Sequence, residues 1–215
     1  MIDVYINDYS MLELGLLRES ISFPTPKPQV SSVTVLGRNS PIRFNEALGR
    51  ISYEPRNFEI VLTMLSSRKD FIEKQGYLTN RFLGKVCRIS LSETPDLFYV
   101  GTLQIENEYN ADLHKGTIKL TCDDGDAYCY HANPTVVEIT GSGTVTLNND
   151  YMPTVPVITT TAETTLSWQV GNDQFTKTIS AGTWEFPELE LVCGQNRVAV
   201  VSSGKTTFTY TEGRL

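Results

Sequence analysis

Residues 132–215 contain a series of short segments in which apolar and polar residues alternate, separated by turns rich in Gly and Asn. Short strands that recur about every 8–12 residues are typical of a β-sandwich or β-barrel. Threonine points the same way, because its branched Cβ suits a pleated surface. There are 8 Thr in residues 1–131 and 17 Thr in residues 132–215. We therefore predict an all-β second domain.

The boundary is placed at His131-Ala132-Asn133-Pro134, where proline discourages continuation of the preceding element. Lysine and arginine also become rarer there, with 14 before residue 132 and 4 after it. The predicted domains are 1–131 and 132–215. The strands predicted for the second are Val136–Ile139, Thr144–Leu147, Val155–Thr159, Leu166–Val170, Gln174–Ile179, Leu189–Val192, Val198–Val201 and Thr206–Tyr210. Turns are predicted at Gly141–Gly143, which is interpreted as a hairpin turn, at Asn148–Asp150 and at Gly171–Asp173.

The first domain has a mixed pattern. Prolines at 24, 26 and 28 predict an irregular stretch, because proline lacks a donor for a sheet. A turn is expected at Gly37–Pro41 and another at Glu93–Asp96. The predicted strands are Val33–Leu36, Asn57–Leu62, Val86–Leu91, Phe98–Ile105 and Gly116–Cys122.

One segment of the first domain has helical spacing. Ser66 or Ser67 is a suitable N-cap, and Gly84 suits the position just after the helix. Gly76 costs about 1 kcal/mol relative to Ala, so either one helix or a helix broken at Gly76 fits the pattern. The predicted core stripe consists of Phe71, Ile72, Gln75, Leu78, Phe82 and Leu83.

The strand Gly116–Cys122 is expected to pair with Phe98–Ile105 across Asn107–Lys115. The result is a long hairpin with a mostly polar tip. A polar tip can be a solvated loop, but long hairpins also allow identical subunits to clasp one another. We predict a subunit contact, and we expect deletion of Asn107–Lys115 to leave a folded monomer.

The search for chemistry identifies few candidates. Cys122, Cys129 and His131 could form part of a metal site, although ordinary strand-face thiols explain the cysteines better, because Cys87, Cys122, Cys129 and Cys193 form no Cys-x-x-Cys pair. The chain has only two histidines, of which His114 is the other, and it lacks nucleophile-elbow, zinc-protease and phosphate-loop motifs. We predict no catalytic, cofactor or metal site.

Two clusters leave alternatives open. The acidic run Asp123-Asp124-Gly125-Asp126 could ligate calcium, but its spacing lacks a closing Glu, and a solvated turn explains it better. Trp168 and Trp184 could stack on sugar rings, or they could be sandwich core.

Charge and hydropathy limit the partners. A net charge of −7 disfavours a protein that grips nucleic acid, since phosphate would be repelled. Asp3 and Asp8 lie where a signal peptide would carry positive charge, and no apolar run is long enough to span a membrane. We expect the protein to be made in a cytosol, without membrane association.

Three ordered stretches resemble a known family. The first is Leu36–Ser40 with Tyr53–Ile60, the second is Phe82–Lys85 with Ile89 and Phe98–Gly101, and the third is Glu190–Val198 with Phe208–Leu215. Together they resemble the siphophage distal tail protein family, also called Dit or the tail-tip hub. The motifs are diffuse, but they follow in order over nearly the whole chain.

The resemblance implies a mainly β fold with one helix. Members have an N-terminal sandwich-like domain with a helix and a long hairpin, and a C-terminal galectin-like β-sandwich. Six copies form a ring, single or as two stacked rings, in which the N-terminal domains surround a channel and the C-terminal domains project outward. Some members carry an inserted carbohydrate-binding module, but this chain is short and shows no such insertion.

The function that follows is a structural, non-enzymatic hub of the virion, present in the host cytoplasm during assembly. Its implied partners are its own copies, the tail tube protein and the tail-associated or receptor-binding proteins, with DNA passing through the ring. An acidic channel would not grip phosphate. The alternative function is a carbohydrate-binding or adhesion module acting through the second sandwich, with Trp168 and Trp184 as candidate contacts.

Overall fold

The structure is a computed structural model that describes residues 2–44 and 50–215. It is mainly β with one helix, which confirms the predicted fold class. The chain divides into two compact units, one ending at Cys129 and the other beginning at Tyr130. Within the described residues, no helix is long and apolar enough to cross a membrane.

Unit 1 contains ten strands and the helix. One antiparallel sheet has the order β2-β1-β7-β8, a second has the order β3-β6-β10-β9, and β4 and β5 form a separate pair. The second of these is called the hairpin sheet below. The elements are β1 Val4–Ile6, β2 Tyr9–Ser10, β3 Leu17–Ser22, β4 Ser32–Val33, β5 Ile42–Arg43, β6 Arg56–Leu65, α1 Arg68–Phe82, β7 Val86–Leu91, β8 Thr94–Thr102, β9 Gln104–Asn110 and β10 Lys115–Gly125.

Helix α1 runs through Gly76 without a break. Ser67 is its N-cap and accepts a hydrogen bond from the Asp70 backbone N–H, and Gly84 follows the helix at a φ of +68°. Phe71, Leu78 and Phe82 are buried against the unit 1 core, as predicted. Two members of the expected stripe, Ile72 and Leu83, are exposed instead. The buried face of the helix is thus narrower than the predicted apolar stripe, because the helix packs against the core on one side only.

The predicted strand Phe98–Ile105 is wrong as a single element. Leu103 separates β8 from β9, and these two strands lie in different sheets of unit 1. The Leu103 backbone bonds to the two residues that follow Leu83 at the end of the helix: its N–H donates to the Lys85 carbonyl, and its carbonyl accepts from the Gly84 N–H. These bonds fix the crossover, so the partner of β10 in the hairpin is β9 rather than Phe98–Ile105. The turn predicted at Glu93–Asp96 is also displaced, because β8 already begins at Thr94.

Unit 2 is a sandwich of two four-stranded antiparallel sheets, with orders β12-β19-β14-β17 and β13-β18-β15-β16. Strands alternate between buried and outward residues, and their inward side chains, such as Leu147, Leu166, Val198 and Phe208, form one core. The strands are β12 Thr135–Thr140, β13 Gly143–Asn149, β14 Val157–Thr160, β15 Thr164–Val170, β16 Asp173–Ile179, β17 Gly182–Glu185, β18 Gly194–Ser202, β19 Lys205–Tyr210 and β20 Gly213–Arg214, with β11 Cys129–His131 at the division of the units.

Three predictions for unit 2 are wrong in detail. Gly141–Gly143 is not a hairpin turn, since β12 and β13 belong to opposite sheets and the segment crosses between them. Leu189–Val192 is not a strand, and only Leu191 forms an isolated bridge, to Thr154. Asn148 and Asn149 end β13 rather than forming a turn, because the buried Asn149 amide donates to the carbonyls of Met152 and Leu191.

Candidate subunit interface

A long loop, residues 24–55, separates β3 from β6 in unit 1, and residues 45–49 of it lie outside the described residues. Its root is closed by Arg56, which is 4 % exposed. The guanidinium donates to the Pro24 carbonyl at 3.1 Å and to the Ala127 carbonyl at 2.8 Å. Phe23 stacks on Phe58 beside it, with ring centroids 5.0 Å apart. The two ends of the long loop are therefore held together by buried contacts.

The body of the long loop is different. In its described residues, 24–44 and 50–55, regular structure is limited to the pair β4–β5 and an isolated bridge between Pro28 and Tyr53. The predicted strand Val33–Leu36 is wrong beyond Val33, and the chain turns at Leu36 and Gly37. Apolar side chains point into solvent along its length: Val30, Val33, Val35, Leu36, Phe44 and Ile51. Exposed apolar surface of this extent is typical of a protein contact.

Leu36 is the extreme case, with an exposed fraction of 103 %. Its predicted role was that of a strand residue next to a Gly-Arg-Asn turn, and sequence reasoning did not identify it as an interface residue. The available signal was the combination of several apolar residues with a proline-rich stretch that has neither strand nor helix spacing. Such residues have no regular element to bury them, so they remain on the surface.

A hairpin ends at the predicted second strand, but its first strand is β9 rather than Phe98–Ile105, and its tip is shorter than predicted. Asn110 pairs with Lys115, so the turn is 111–114 rather than Asn107–Lys115. The Asn110 side chain accepts hydrogen bonds from the backbone N–H groups of Asp112 and Leu113, and His114 adopts a φ of +49°. The turn is thus locally determined by its own side chain.

The hairpin does not extend freely into solvent. Lys115 at its tip also pairs with Leu65 of β6, so a third strand accompanies it over its full length. The Tyr109 hydroxyl donates to the Ser66 carbonyl at 2.8 Å, and its ring lies 5.4 Å from Phe71 of the helix. Deleting Asn107–Lys115 would remove these core contacts, so the expectation that deletion leaves a folded monomer loses its basis.

The hairpin sheet has two open edges. Among the described residues, β9 pairs only with β10, and β3 pairs only with β6. An open edge presents unpaired N–H and C=O groups that can pair with another chain. The acidic residues Glu106 and Glu108 lie on β9, and a register irregularity near Glu19 interrupts β3. These features restrict edge pairing to a matched partner, because charge and bulges oppose indiscriminate pairing.

The outward face of the hairpin sheet is acidic. Two lysines on it are neutralised, since Lys119 pairs with Glu59 at 2.9 Å and Lys115 with Glu19 at 3.0 Å. Hydrogen bonding to Glu59 raises the pKa of Lys119, so this lysine stays charged at neutral pH. The face also carries Glu106, Glu108 and Asp123, so carboxylates outnumber ammonium groups.

The candidate cysteine and histidine ligands have other roles. Cys122 is buried and donates to the Asp124 carboxylate at 3.2 Å, and burial raises the pKa of its thiol to about 12. His131 Nε2 lies 3.0 Å from the Asp150 carboxylate. Cys129 is buried, and Cys193 is exposed. Across residues 2–44 and 50–215, no group of three His, Cys, Asp or Glu residues is arranged to hold a metal ion.

The acidic run is the end of a strand rather than a solvated turn. Asp124 accepts from the Thr102 N–H at 2.8 Å, and hydrogen bonding to the side chain and the backbone of Thr102 lowers the pKa of Asp124. Gly125 is packed so closely that a Cβ there would lie 2.6 Å from the Arg56 carbonyl oxygen. These contacts hold the end of β10 against the backbone of Thr102 and Arg56 in unit 1.

The two tryptophans lie in different sheets of unit 2, Trp168 on β15 and Trp184 on β17. Trp168 is 5 % exposed, stacks on Phe175 at 5.7 Å and donates its N–H to the Glu188 carbonyl. Trp184 is 38 % exposed and donates to the Ser180 carbonyl. The pair does not form one aromatic platform, and Trp168 serves the sandwich core.

Among the comparisons with known proteins, the one with solved structures gives a match. No family model matches the chain, and no curated protein matches it. A solved structure does match, that of the SPP1 Dit protein, described as a paradigm of the hub adsorption apparatus in phages that infect Gram-positive bacteria. The TM-score is 0.71 at 13 % sequence identity, and the match covers 100 % of both chains. The chain has the Dit fold.

Within the Dit fold, the three stretches of the resemblance occupy identifiable structural positions. Arg56 closes the long loop, as described above. Gly101 allows close packing, since a Cβ at this position would lie 2.3 Å from Cys122 Sγ. Asn196 organises the connection into β18: its side chain accepts from Val192 N–H at 3.0 Å and donates to the Val192 carbonyl at 2.8 Å. These residues hold the fold together, and none of them forms a reactive centre.

Proposed function

We propose that the protein is a structural hub at the distal end of a long-tailed phage or prophage tail. Six copies form a ring, single or in two stacked layers, that joins the tail tube protein to the tail-associated and receptor-binding proteins. The protein carries out this role in the virion, after assembly in the host cytoplasm, and it performs no catalysis.

The observation that carries the proposal is the Dit fold over the entire chain. The matched protein is a hub of an adsorption apparatus, and a fold alone does not determine a function. Two features of this chain add independent support. The hairpin sheet has two open edges, and the long loop exposes apolar side chains such as Leu36 and Phe44. Both are suited to contacts between subunits.

A ring follows from the two edges if β9 of one copy meets β3 of the next. Such a contact is heterologous, because it joins two different surfaces, and heterologous contacts generate closed rings when the rotation closes. Each copy would then contribute the four strands of its hairpin sheet to a barrel around the channel. The long loop, rooted at Arg56, would cover part of the adjacent subunit and bury its apolar residues.

The acidic outward face of the hairpin sheet suits a channel that conducts DNA. Carboxylates such as Glu106 and Glu108 repel phosphate, so DNA would pass without being held. Unit 2, the sandwich, would lie outside the ring and face the adsorption machinery. In this assignment unit 1 builds the ring and unit 2 projects from it.

The test is the assembly state of the purified full chain. Mass photometry and negative-stain microscopy should show rings with about six times the monomer mass of 24.0 kDa. The double variant L36D/F44D should dissociate the rings, because it places charge where apolar contact is expected. V136D is a matched control, since Val136 is 53 % exposed but lies on unit 2.

A monomer at all concentrations, alone and with the adjacent tail tube protein, would overturn the proposal. If rings persist in L36D/F44D, the hub proposal stands, but the long loop is not a subunit contact.

A further inference from the structure

An open cavity of about 630 Å³ lies beside the C-terminal end of helix α1. It is lined by Asn7, Tyr9, Tyr77, Asn80, Arg81, Phe82 and Lys85. Two of these side chains are cations and none is acidic. In a chain with a net charge of −7, a concave site with only positive charge is unusual.

The guanidinium of Arg81 is held in a defined orientation. Its central carbon lies 3.8 Å from the centroid of the Tyr9 ring, and one Nη donates to the Tyr9 hydroxyl. A second ring, that of Tyr77, lies 5.7 Å from the same carbon. A planar guanidinium fixed on an aromatic ring keeps its remaining N–H donors available for bidentate binding of a carboxylate.

The two cations lack acidic partners within the described residues. Arg81 bonds only to Tyr9, and the Lys85 ammonium makes a 3.4 Å contact with the Asn80 carbonyl. The carboxylate of Asp8, next in sequence to Tyr9, forms no ion pair with either cation. An oxyanion entering this cavity would therefore displace no internal ion pair.

Two aromatic rings line the cavity beside the cations. Tyr9 and Tyr77 are partly exposed, at 40 % and 38 %. A free phosphate would use only the two cations. A peptide segment with an acidic side chain and apolar neighbours would use both the cations and the rings.

We propose that this cavity is a docking site for an acidic peptide segment of a partner protein, with the acidic side chain bound between Arg81 and Lys85 and its apolar neighbours on Tyr9 and Tyr77. None of the lining residues belongs to β3, β9 or the long loop, which are the segments proposed to close the ring. The site gives unit 1 a binding function toward another component of the assembly.

The probe is a random heptapeptide display library selected on the immobilised full chain. Selection should enrich Asp or Glu flanked by apolar residues. The most enriched peptide is then synthesised, and its Kd is measured by fluorescence anisotropy. We expect R81Q and K85Q each to weaken binding about tenfold, the effect of losing one charge-assisted hydrogen bond. R68Q at the other end of the helix is the control and should bind like wild type.

Thermal unfolding of each variant shows whether the fold is retained, and K85Q is the safer variant because Lys85 lacks the aromatic contacts of Arg81. The proposal is overturned if the enriched peptides show no acidic preference, or if R81Q and K85Q bind them as wild type does. Inorganic phosphate that displaces the peptide at micromolar concentration would also overturn it, since the site would then recognise free phosphate. None of these outcomes depends on ring assembly, so they leave the hub proposal unaffected.

Discussion

The long loop of unit 1 and the sandwich of unit 2 use apolar residues in opposite ways. In the sandwich, apolar residues alternate with threonines, and residues such as Leu166 and Phe208 are 0 % exposed. In the long loop, Val35 and Leu36 lie outside the strands, and Leu36 is 103 % exposed. The difference shows that regular pairing, rather than hydrophobicity alone, decides which apolar residues form a core and which are left for another molecule.

The largest effect is expected from a core substitution in the sandwich. Leu166→Ala should lower the free energy of unfolding by about 2–5 kcal/mol, because it removes a fully buried side chain and leaves a cavity. Urea denaturation followed by tryptophan fluorescence measures the change, since Trp168 is in the same core. A loss below about 1 kcal/mol would mean that the sandwich core is not close-packed at this point.

A smaller effect is expected at the root of the long loop. Arg56→Ala should cost about 2–3 kcal/mol, since it leaves the carbonyls of Pro24 and Ala127 without their charged donor. Limited proteolysis should also cut the long loop faster in this variant. If unfolding and proteolysis both remain at the wild-type level, the root does not depend on this arginine. Arg56→Lys tests the geometry, because lysine keeps the charge but cannot donate to both carbonyls in the same way.

Alkaline pH should destabilise the buried cores of the two units but not the long loop. Burial raises the pKa of Cys122 to about 12 in unit 1 and that of Tyr210 to about 12 in unit 2. Both groups are neutral when protonated, so their contribution to stability is full below the ordinary values of 9.0 and 10.0 and is lost as pH rises toward 12. Between pH 8 and pH 11, the urea midpoint of unit 1 should therefore begin to fall before that of unit 2.

Tyr210→Phe provides the comparison for the alkaline effect. It lacks the ionisable hydroxyl, so the stability of unit 2 should decline less between pH 10 and pH 12 than in wild type. If the stability of unit 2 declined equally in the variant, the loss of stability at alkaline pH would come from groups other than Tyr210. The variant also loses the hydrogen bond from the hydroxyl to the Asn148 carbonyl, so its stability at pH 7 is the reference.

The smallest effect on the folded chain is expected in the long loop. Leu36→Ala should change the free energy of unfolding by no more than about 0.5 kcal/mol, because the side chain touches little of its own chain. The same variant should weaken ring assembly about tenfold, the result of losing about 1.5 kcal/mol of apolar burial between subunits. Sedimentation across a dilution series measures assembly. If Leu36→Ala destabilised the monomer but left assembly unchanged, Leu36 would act as a core residue, like those of the sandwich, rather than as an interface residue.

Much of the fold could be predicted from local patterns. The helix with its cap at Ser67 and the strands β6, β7 and β15 follow from residue spacing and capping. What could not be predicted is which strands share a sheet. Phe98–Ile105 alternates like one strand, yet backbone bonds from Leu103 to the end of the helix divide it between two sheets. Likewise, Gly141–Gly143 has the composition of a hairpin turn but crosses between sheets.

The candidate interface was only partly accessible to sequence reasoning. The hairpin was predicted to form a subunit contact, but its attachment to its own chain through Tyr109 and Leu65 was not predicted. The open edges depend on strand order, which requires pairings between residues far apart in the chain. The cavity at Arg81 likewise combines Tyr9 with the helix, and the separation of 72 positions between Tyr9 and Arg81 leaves no local pattern that joins them.

By itself, the sequence determined the mainly β character, the single helix and the absence of recognised catalytic motifs, because strand alternation, capping and catalytic motifs are properties of neighbouring residues. Only the tertiary structure decided which apolar residues are buried, which sheet edges stay open and where two cations share one cavity. These features arise from contacts between distant segments, and their energies depend on packing and solvent exclusion that no short stretch of sequence contains.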